Sequence, residues 1–287
     1  IRDGLQSGDE IKEKIGDRRL VVSVSGGKDS TATCLHLQEL GLPYEAIFFD
    51  TGWEHQKTYE YLTEYLPNIV GPIKRLMYRH DMDSPELEDL AQRYEDRLGN
   101  YSSMIRLIIH KASFPARMRR WCTTKLKVGP ALEYLTNMDE EPINVVGIRG
   151  EESQSRANMD EWEWSDKMDC EIWRPLIDWT YDDVIEIHQR HNVEPNPLYL
   201  GRHPVSRVGC YPCIYARKSE LKGLANRNPD RIDLIRDLEI DITKLCDEKY
   251  ASESYKSRGK KQDIKIMSAM RTWFQNPNPR RAPETGK

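Results

Sequence analysis

Between positions 20 and 40 the chain has few options beyond a strand, a glycine-rich turn and a helix. Leu20-Val-Val-Ser-Val24 is a short apolar run with strand character, and Thr31 to Leu40 carries helical spacing. Ser25-Gly-Gly-Lys-Asp-Ser30 joins them. Two adjacent glycines let the backbone approach an anion closely, and a helix start offers unpaired N–H donors and a positive dipole end. Lys28 adds a point charge, and Ser25 and Ser30 add hydroxyls. The Walker A spacing is absent, because here Gly26 and Gly27 directly precede Lys28, Asp29 and Ser30. These six residues are the candidate anion cradle.

The surrounding pattern alternates strand and helix signals, which predicts an α/β fold: a doubly wound, mostly parallel sheet. Tyr44 to Asp50 reads as a buried strand ending in a carboxylate, followed by Thr51-Gly52. Ligands of open parallel sheets bind outside the carboxyl ends of the strands, so Asp50 and Thr51 join the candidate site. Ile73 to Tyr78 and Ile143 to Ile148 read as further strands, and residues 57–65 and 85–98 as helices. A helix over 125–138 is expected to start near Gly129, since Pro130 fits only a first turn. Arg149 and Arg156 flank a polar loop leaving a strand, where guanidinium forks can grip phosphate; salt bridges to Glu151 and Glu152 are their alternative use. Thr180 and Asp183 predict a capping box for a helix reaching about His191. A nucleotide-type domain is expected over 1–205, a helical cysteine-bearing module over 206–275, and a flexible tail over 276–287.

The 287 residues carry a net charge of −4 and 31% charged residues, with mean hydropathy −0.74. No apolar run approaches a membrane span and no secretory pattern opens the chain, so a cytoplasmic location with no membrane partner is expected. The acidic balance excludes general nucleic-acid coating, yet basic clusters occur at 117–120, at 125 and 127, at 217–218 and at 256–261. The six cysteines lack the spacing of a disulfide framework. Cys122 in Trp-Cys-Thr-Thr-Lys, and Cys210 with Cys213 in Gly-Cys-Tyr-Pro-Cys, are metal or redox candidates. An iron–sulfur cluster, a zinc site completed by Cys246 or His203, and a free redox pair all remain open. Cys34 reads as structural on a helix and Cys170 as incidental in a polar loop. Seven tryptophans, Trp162 and Trp164 among them, are read as core packing before base stacking.

Five blocks in order resemble the phosphoadenosine phosphosulfate (PAPS) reductase family of the adenine-nucleotide α-hydrolase superfamily. They are Ser25 to Ser30, Phe49 to Gly52 with Thr58-Tyr-Glu60, Gly147 to Ala157, Trp173 to Trp179, and Asn196-Pro-Leu-Tyr199. The resemblance implies that the first block cradles phosphates, that Asp50 and Thr51 lie near the adenosine, and that Arg149 and Arg156 bind phosphate or sulfate. It implies catalytic roles for Lys28, Asp29, Arg149 and Arg156. Reductases of the family end in a Glu-Cys-Gly-Leu-His segment, whereas this chain has no cysteine after Cys246 and keeps Lys28 and Asp29. The cysteine pattern looks closer to the DNA phosphorothioation sulfurtransferase. That likeness implies ATP, Mg²⁺ and a 4Fe–4S cluster on Cys122, Cys210 and Cys213, with Cys246 as a fourth ligand. Implied partners are an adenine nucleotide, a cysteine desulfurase or thioredoxin-like sulfur donor, and a nucleic-acid acceptor; a homodimer is left open. The other readings are a sulfite-releasing reductase with Cys246 as nucleophile, and a non-catalytic nucleotide-binding subunit of a nucleic-acid-modifying complex.

Overall fold

The computed structural model describes residues 8–200 and 204–251. His203, the 256–261 basic run, the module beyond 251 and the 276–287 tail lie outside the described residues.

Six strands form one sheet in the order β3-β2-β1-β4-β6-β5: β1 Leu20–Ser23, β2 Tyr44–Asp50, β3 Ile73–Met77, β4 Ile143–Val145, β5 Trp162–Ser165 and β6 Cys170–Trp173. Every neighbouring pair is parallel except β5 on β6 at the edge, so the expected doubly wound, mostly parallel sheet is present. Side-chain alternation along β1 sorts the two faces. Leu20, Val22 and Val24 pack with Ala46, Phe48 and the helices Gly8–Ile15 and Lys28–Glu39. Val21 and Ile47 face the other way, against Ala131 and Leu135 of the helix Gly129–Thr136. Each fully buried aliphatic side chain contributes about 1.5–3 kcal/mol, which makes β1 the anchor of both layers.

The chain runs outward from β1 to β3, then returns to β4 on the other side of β1. The gap between β1 and β4 is therefore the topological switch point, where open sheets place their ligands. A second core lies beside the sheet. The helices Pro85–Leu98 and Ser103–Lys111 pack there with Trp53 and with Leu234, Leu238 and Ile242 of the long helix Pro229–Ala251. Inside it Arg106 forms ion pairs with Glu95 and Glu88, so its buried charge is neutralised.

Four local expectations need correction. The helix before Gly129 begins at Trp121, because a widened turn at Thr124–Val128 shifts the bonding just ahead of Pro130, which has no N–H to give. β4 stops at Val145 rather than at 148. A Cβ on Gly147 would stand 2.5 Å from Thr33 Oγ1, so the backbone there leaves the ladder and passes close to a helix. Cys170 is not in a loop but opens β6, fully buried against Val21, Ile47 and Leu135. Within the polar stretch 149–158 a short helix forms at Gln154–Ala157. Trp162 stacks on Trp173 at 4.8 Å, as a core residue does, whereas Trp164 is exposed.

Thr180 caps the helix Tyr181–Arg190 in the anticipated box with Asp183. Thr180→Ala is expected to lower stability by about 1 kcal/mol in urea unfolding. An unchanged midpoint would show the cap to be redundant.

Candidate functional site: a phosphate cradle walled by cysteines

The cradle is the turn between β1 and the Lys28–Glu39 helix. Gly26 has φ +70°, a left-handed value, and a Cβ there would crowd Leu62, Thr58 and Asn196. The serine hydroxyls fold the turn on itself: Ser30 Oγ accepts from Ser25 N at 3.2 Å and donates to Gly27 O at 3.0 Å. Asn196 Nδ2 donates to Gly26 O at 3.2 Å, and the Tyr199 hydroxyl accepts from Lys28 N at 3.3 Å. His188 Nε2 donates to Lys28 O at 2.9 Å, and burial pushes its pKa down, so a neutral imidazole supports the helix start. The Asn196-to-Tyr199 block thus lies directly on the phosphate turn. From the sequence, His188 and His191 share a helix face but lack an H-E-x-x-H pattern, so neither is read as a ligand and the role of His188 at the turn is not foreseen.

Arg149, which leaves the β4 side of the switch point, is 4% exposed. Its Nε lies 2.5 Å from Asp29 Oδ1 and its Nη1 2.5 Å from Glu151 Oε2, while Lys28 Nζ lies 2.7 Å from Asp29 Oδ2. Burial works against ionisation of Asp29, but Lys28 and Arg149 overcome it and hold the carboxyl below its ordinary range. Arg156 pairs with Glu152, which also meets Arg207 at 3.1 Å. The structure therefore gathers Lys28, Asp29, Arg149 and Arg156, and adds Arg207. Lys28, Arg149 and Arg207 line a cleft of about 1200 Å³ together with Tyr181, His188 and Tyr199, ample for a nucleotide. Arriving phosphates can replace the carboxylates that these cations now hold.

A depressed carboxyl adds stability above its unfolded pKa and loses it as pH falls through the folded value. Arg149→Met removes one cation from Asp29, raises the folded value, and should move that loss to higher pH. Titration of the Asp29 carboxyl carbon by NMR checks this; an unmoved midpoint would remove Arg149 as a cause.

The second wall begins at the end of β2. Asp50 is buried, and its carboxylate accepts from Gly52 N at 2.7 Å and from the Tyr59 hydroxyl at 2.9 Å while pairing with Arg75. Thr51 donates through N and Oγ1 to Glu54, at 3.2 and 2.7 Å. Burial and the nearby Asp50 push Glu54 upward, against the pull of Lys127. Against this turn lies the Cys-x-x-C segment. Glu54 and Cys210 form a backbone bridge, Tyr211 N donates to Trp53 O at 2.9 Å, and Trp53 Nε1 donates to Pro212 O at 3.2 Å. Cys210 Sγ stands 3.8 Å from Thr51 Oγ1, and Arg231 lies 4.0 Å over the Trp53 ring. Arg75 and Glu54 are partners that sequence reading missed, and Tyr59, though inside the Thr58-Tyr-Glu60 block, was given no role there.

Lys127, a partly exposed residue, lies within electrostatic reach of three cysteines. Lys127 is held above its ordinary pKa first by Cys210, against burial, and also by Glu54, Cys213 and Cys122. Burial pushes Cys210 up to about 12 despite Lys127, and raises Cys122 as well. Cys213 is exposed. Cys246 packs against the same core as Cys122 and Cys210, with its thiol donating to Ala112 O at 2.8 Å. Among the described residues no three His, Cys, Asp or Glu side chains stand close enough to chelate a single ion. In kind, the donors still fit a cluster: three thiols lie within electrostatic reach of Lys127, and the buried indole N–H of Trp121 has no partner.

A parallel sheet with a phosphate cradle at its switch point, faced by arginine from the neighbouring strand, defines a nucleotide-binding α/β protein. The model of the phosphoadenosine phosphosulfate reductase domain matches residues 19–216, and the chain belongs to that family, within the adenine-nucleotide α-hydrolase superfamily. It is 34% identical over 253 residues to an uncharacterized 37.8 kDa protein of Escherichia phage 186, covering 76% of this chain and 74% of the phage protein. It is 27% identical over 169 residues to adenosine 5′-phosphosulfate reductase 1 of Bacillus subtilis, covering 59% of this chain and 62% of that one. In fold it resembles the PAPS reductase of Candida auris in its phosphate complex, with a TM-score of 0.51 and 17% identity over 73% of this chain and 90% of that chain. Among the described residues no helix is long and apolar enough to cross a membrane.

Proposed function

We propose that the protein consumes ATP with Mg²⁺ to adenylate an oxygen of a second substrate, so that sulfur can replace that oxygen, and that the acceptor is nucleic acid. The observation that carries this reading is the shared wall: Thr51, at the end of β2 beside the cradle, contacts Cys210 at 3.8 Å. On this reading Thr51 joins the ATP site to the sulfur site.

The substrate oxygen attacks the α phosphorus, the bond to the bridging oxygen breaks, and pyrophosphate leaves toward Lys28. Asp29 would supply the carboxylate that holds Mg²⁺ once phosphates take over Lys28 and Arg149, and Arg149 and Arg156 would hold the phosphate oxygens. A sulfur nucleophile then attacks the activated centre, and AMP departs with the original oxygen. Cys122, Cys210 and Cys213, with Cys246 as fourth, are the residues that would hold an iron–sulfur cluster. When bound, such a cluster supplies iron at which sulfide can be held. The sulfur comes from a desulfurase or thioredoxin-like partner.

The test couples two measurements on protein purified without oxygen: iron and acid-labile sulfide content, and ATP–pyrophosphate exchange across a panel of nucleic-acid acceptors. Stoichiometric sulfide with exchange supports the reading. An intact cluster without exchange removes adenylation. One zinc without sulfide removes the sulfur step and leaves the cysteines as a structural clip. Sulfite release from phosphosulfate substrates, lost in Cys246→Ser, would put the reductase reading in its place.

A further inference from the structure

We propose that residues 117–122 and 213–218 form the surface on which a nucleic-acid strand lies, with its phosphates on Arg117, Arg120 and Arg217 and its bases against Met118 and Tyr215. This rests on the reading of nucleic acid as the acceptor and gives that acceptor a place.

Charge is the first reason. The chain is acidic overall, yet residues 114–128 hold five lysines and arginines and residues 204–219 hold three, with no aspartate or glutamate in either stretch. An averaged solvated surface would mix both signs. Shape is the second. Ala116 and Arg119 exchange both backbone hydrogen bonds, at 3.2 and 2.9 Å, which makes a tight hairpin with Arg117 and Met118 at its tip. Met118 is 94% exposed, an apolar side chain held out between arginines. Apolar wedges flanked by cations are a recurring means of gripping nucleic acid, since they contact bases while the cations contact phosphates. Aromatic placement is the third. The Arg117 and Arg120 guanidinium carbons lie 5.6 and 6.0 Å from the Tyr215 ring centre, and Tyr215 is still 42% exposed, leaving room for a stacked base.

Continuity with the site is the fourth reason. One strip ends at Cys122 and the other begins at Cys213, and Arg117 Nε donates to Ile214 O at 3.5 Å, joining them. Tyr215 and Arg217 also line the cleft that holds Lys28 and Arg149. A strand lying on this surface would run past both thiols toward the phosphate cradle.

The test is fluorescence anisotropy with short labelled single-stranded DNA, single-stranded RNA and duplex DNA over a salt series, with labelled polyglutamate as an acidic-peptide probe. The full chain is compared with Arg117→Ala/Arg120→Ala and with Met118→Ser/Tyr215→Ala. The arginine variant should weaken nucleic-acid binding by about tenfold or more at physiological salt and flatten the salt slope by about 2. The apolar variant should weaken it by about fivefold or more with the slope unchanged. Trinitrophenyl-ATP affinity should stay the same in the arginine variant and in Met118→Ser alone, whose residues do not line the cleft, which shows the cradle intact. Tight binding that neither variant weakens overturns the surface and leaves the acceptor class standing. No nucleic-acid binding by the unaltered chain overturns both. Polyglutamate bound as tightly as the oligonucleotides, and lost with the arginines, makes the patch a protein dock and overturns its nucleic-acid role.

Discussion

Lys28→Ala is expected to slow ATP–pyrophosphate exchange by about 100-fold or more, the effect of removing one charge that meets a leaving group. Stability should change little. Asp29 keeps Arg149 as a partner at 2.5 Å, so the folded state loses only one of two ion pairs there. A loss near 1 kcal/mol moves the melting temperature of a domain this size by about 2–4 °C. The ratio matters more than either number. Loss of exchange with a near-native melting curve makes Lys28 part of the chemistry. Equal loss of ATP affinity and exchange would make it a binding residue only. Exchange that survives the substitution would remove the pyrophosphate role altogether.

Gly52→Ala should be the most damaging small substitution in the described chain. Gly52 has φ +67°, and a Cβ built there would lie 2.3 Å from Tyr101 O and 2.4 Å from Ser102 Cα. Both obstacles are backbone, so no rotamer change relieves them. Holding alanine left-handed costs about 1–2 kcal/mol and overpacking adds about 1–3 kcal/mol, for a total of about 2–5 kcal/mol. Gly71→Ala is the control: φ +85° with ψ −176° is a glycine-only backbone that costs about 1–3 kcal/mol for alanine, but nothing lies within 4 Å, so no overpacking is added. Because Trp53 carries Tyr211, Pro212 and Arg231, displacement of this turn should also loosen the cysteine segment. On the proposed cluster reading, iron retained per chain should fall together with stability in Gly52→Ala and stay constant in Gly71→Ala. Equal midpoints for the two variants would mean that the wall is not rigid.

Particular residues show why some of this was legible in advance. The glycine pair before Lys28 announced the cradle, because few backbones other than a strand-to-helix turn use that order of residues. The box at Thr180 and Asp183 was readable because capping is local, closed within four residues. The Ser103–Lys111 helix was not anticipated. Its near-continuous apolar composition does not separate helix from strand, and what sets it is a second core with helices far along the chain. Cys170 was misplaced because its flanks are polar, whereas its own side chain pairs with a sheet face that only assembly creates.

What the chain itself carried, then, was local: the β1 turn, the strand-helix alternation, and Lys28 and Arg149 as candidate cations, each beside the end of a strand. The tertiary structure alone decided how distant segments meet. It set Arg149 on Asp29 across 120 positions, Cys210 on Thr51 across 159, and Lys127 amid thiols from two strips. The physical reason is range. Backbone propensity and capping act over a few residues and leave a mark in order and spacing. Pairing of buried charges and docking of a loop on a wall depend on which surfaces the core brings together, and no local pattern records that.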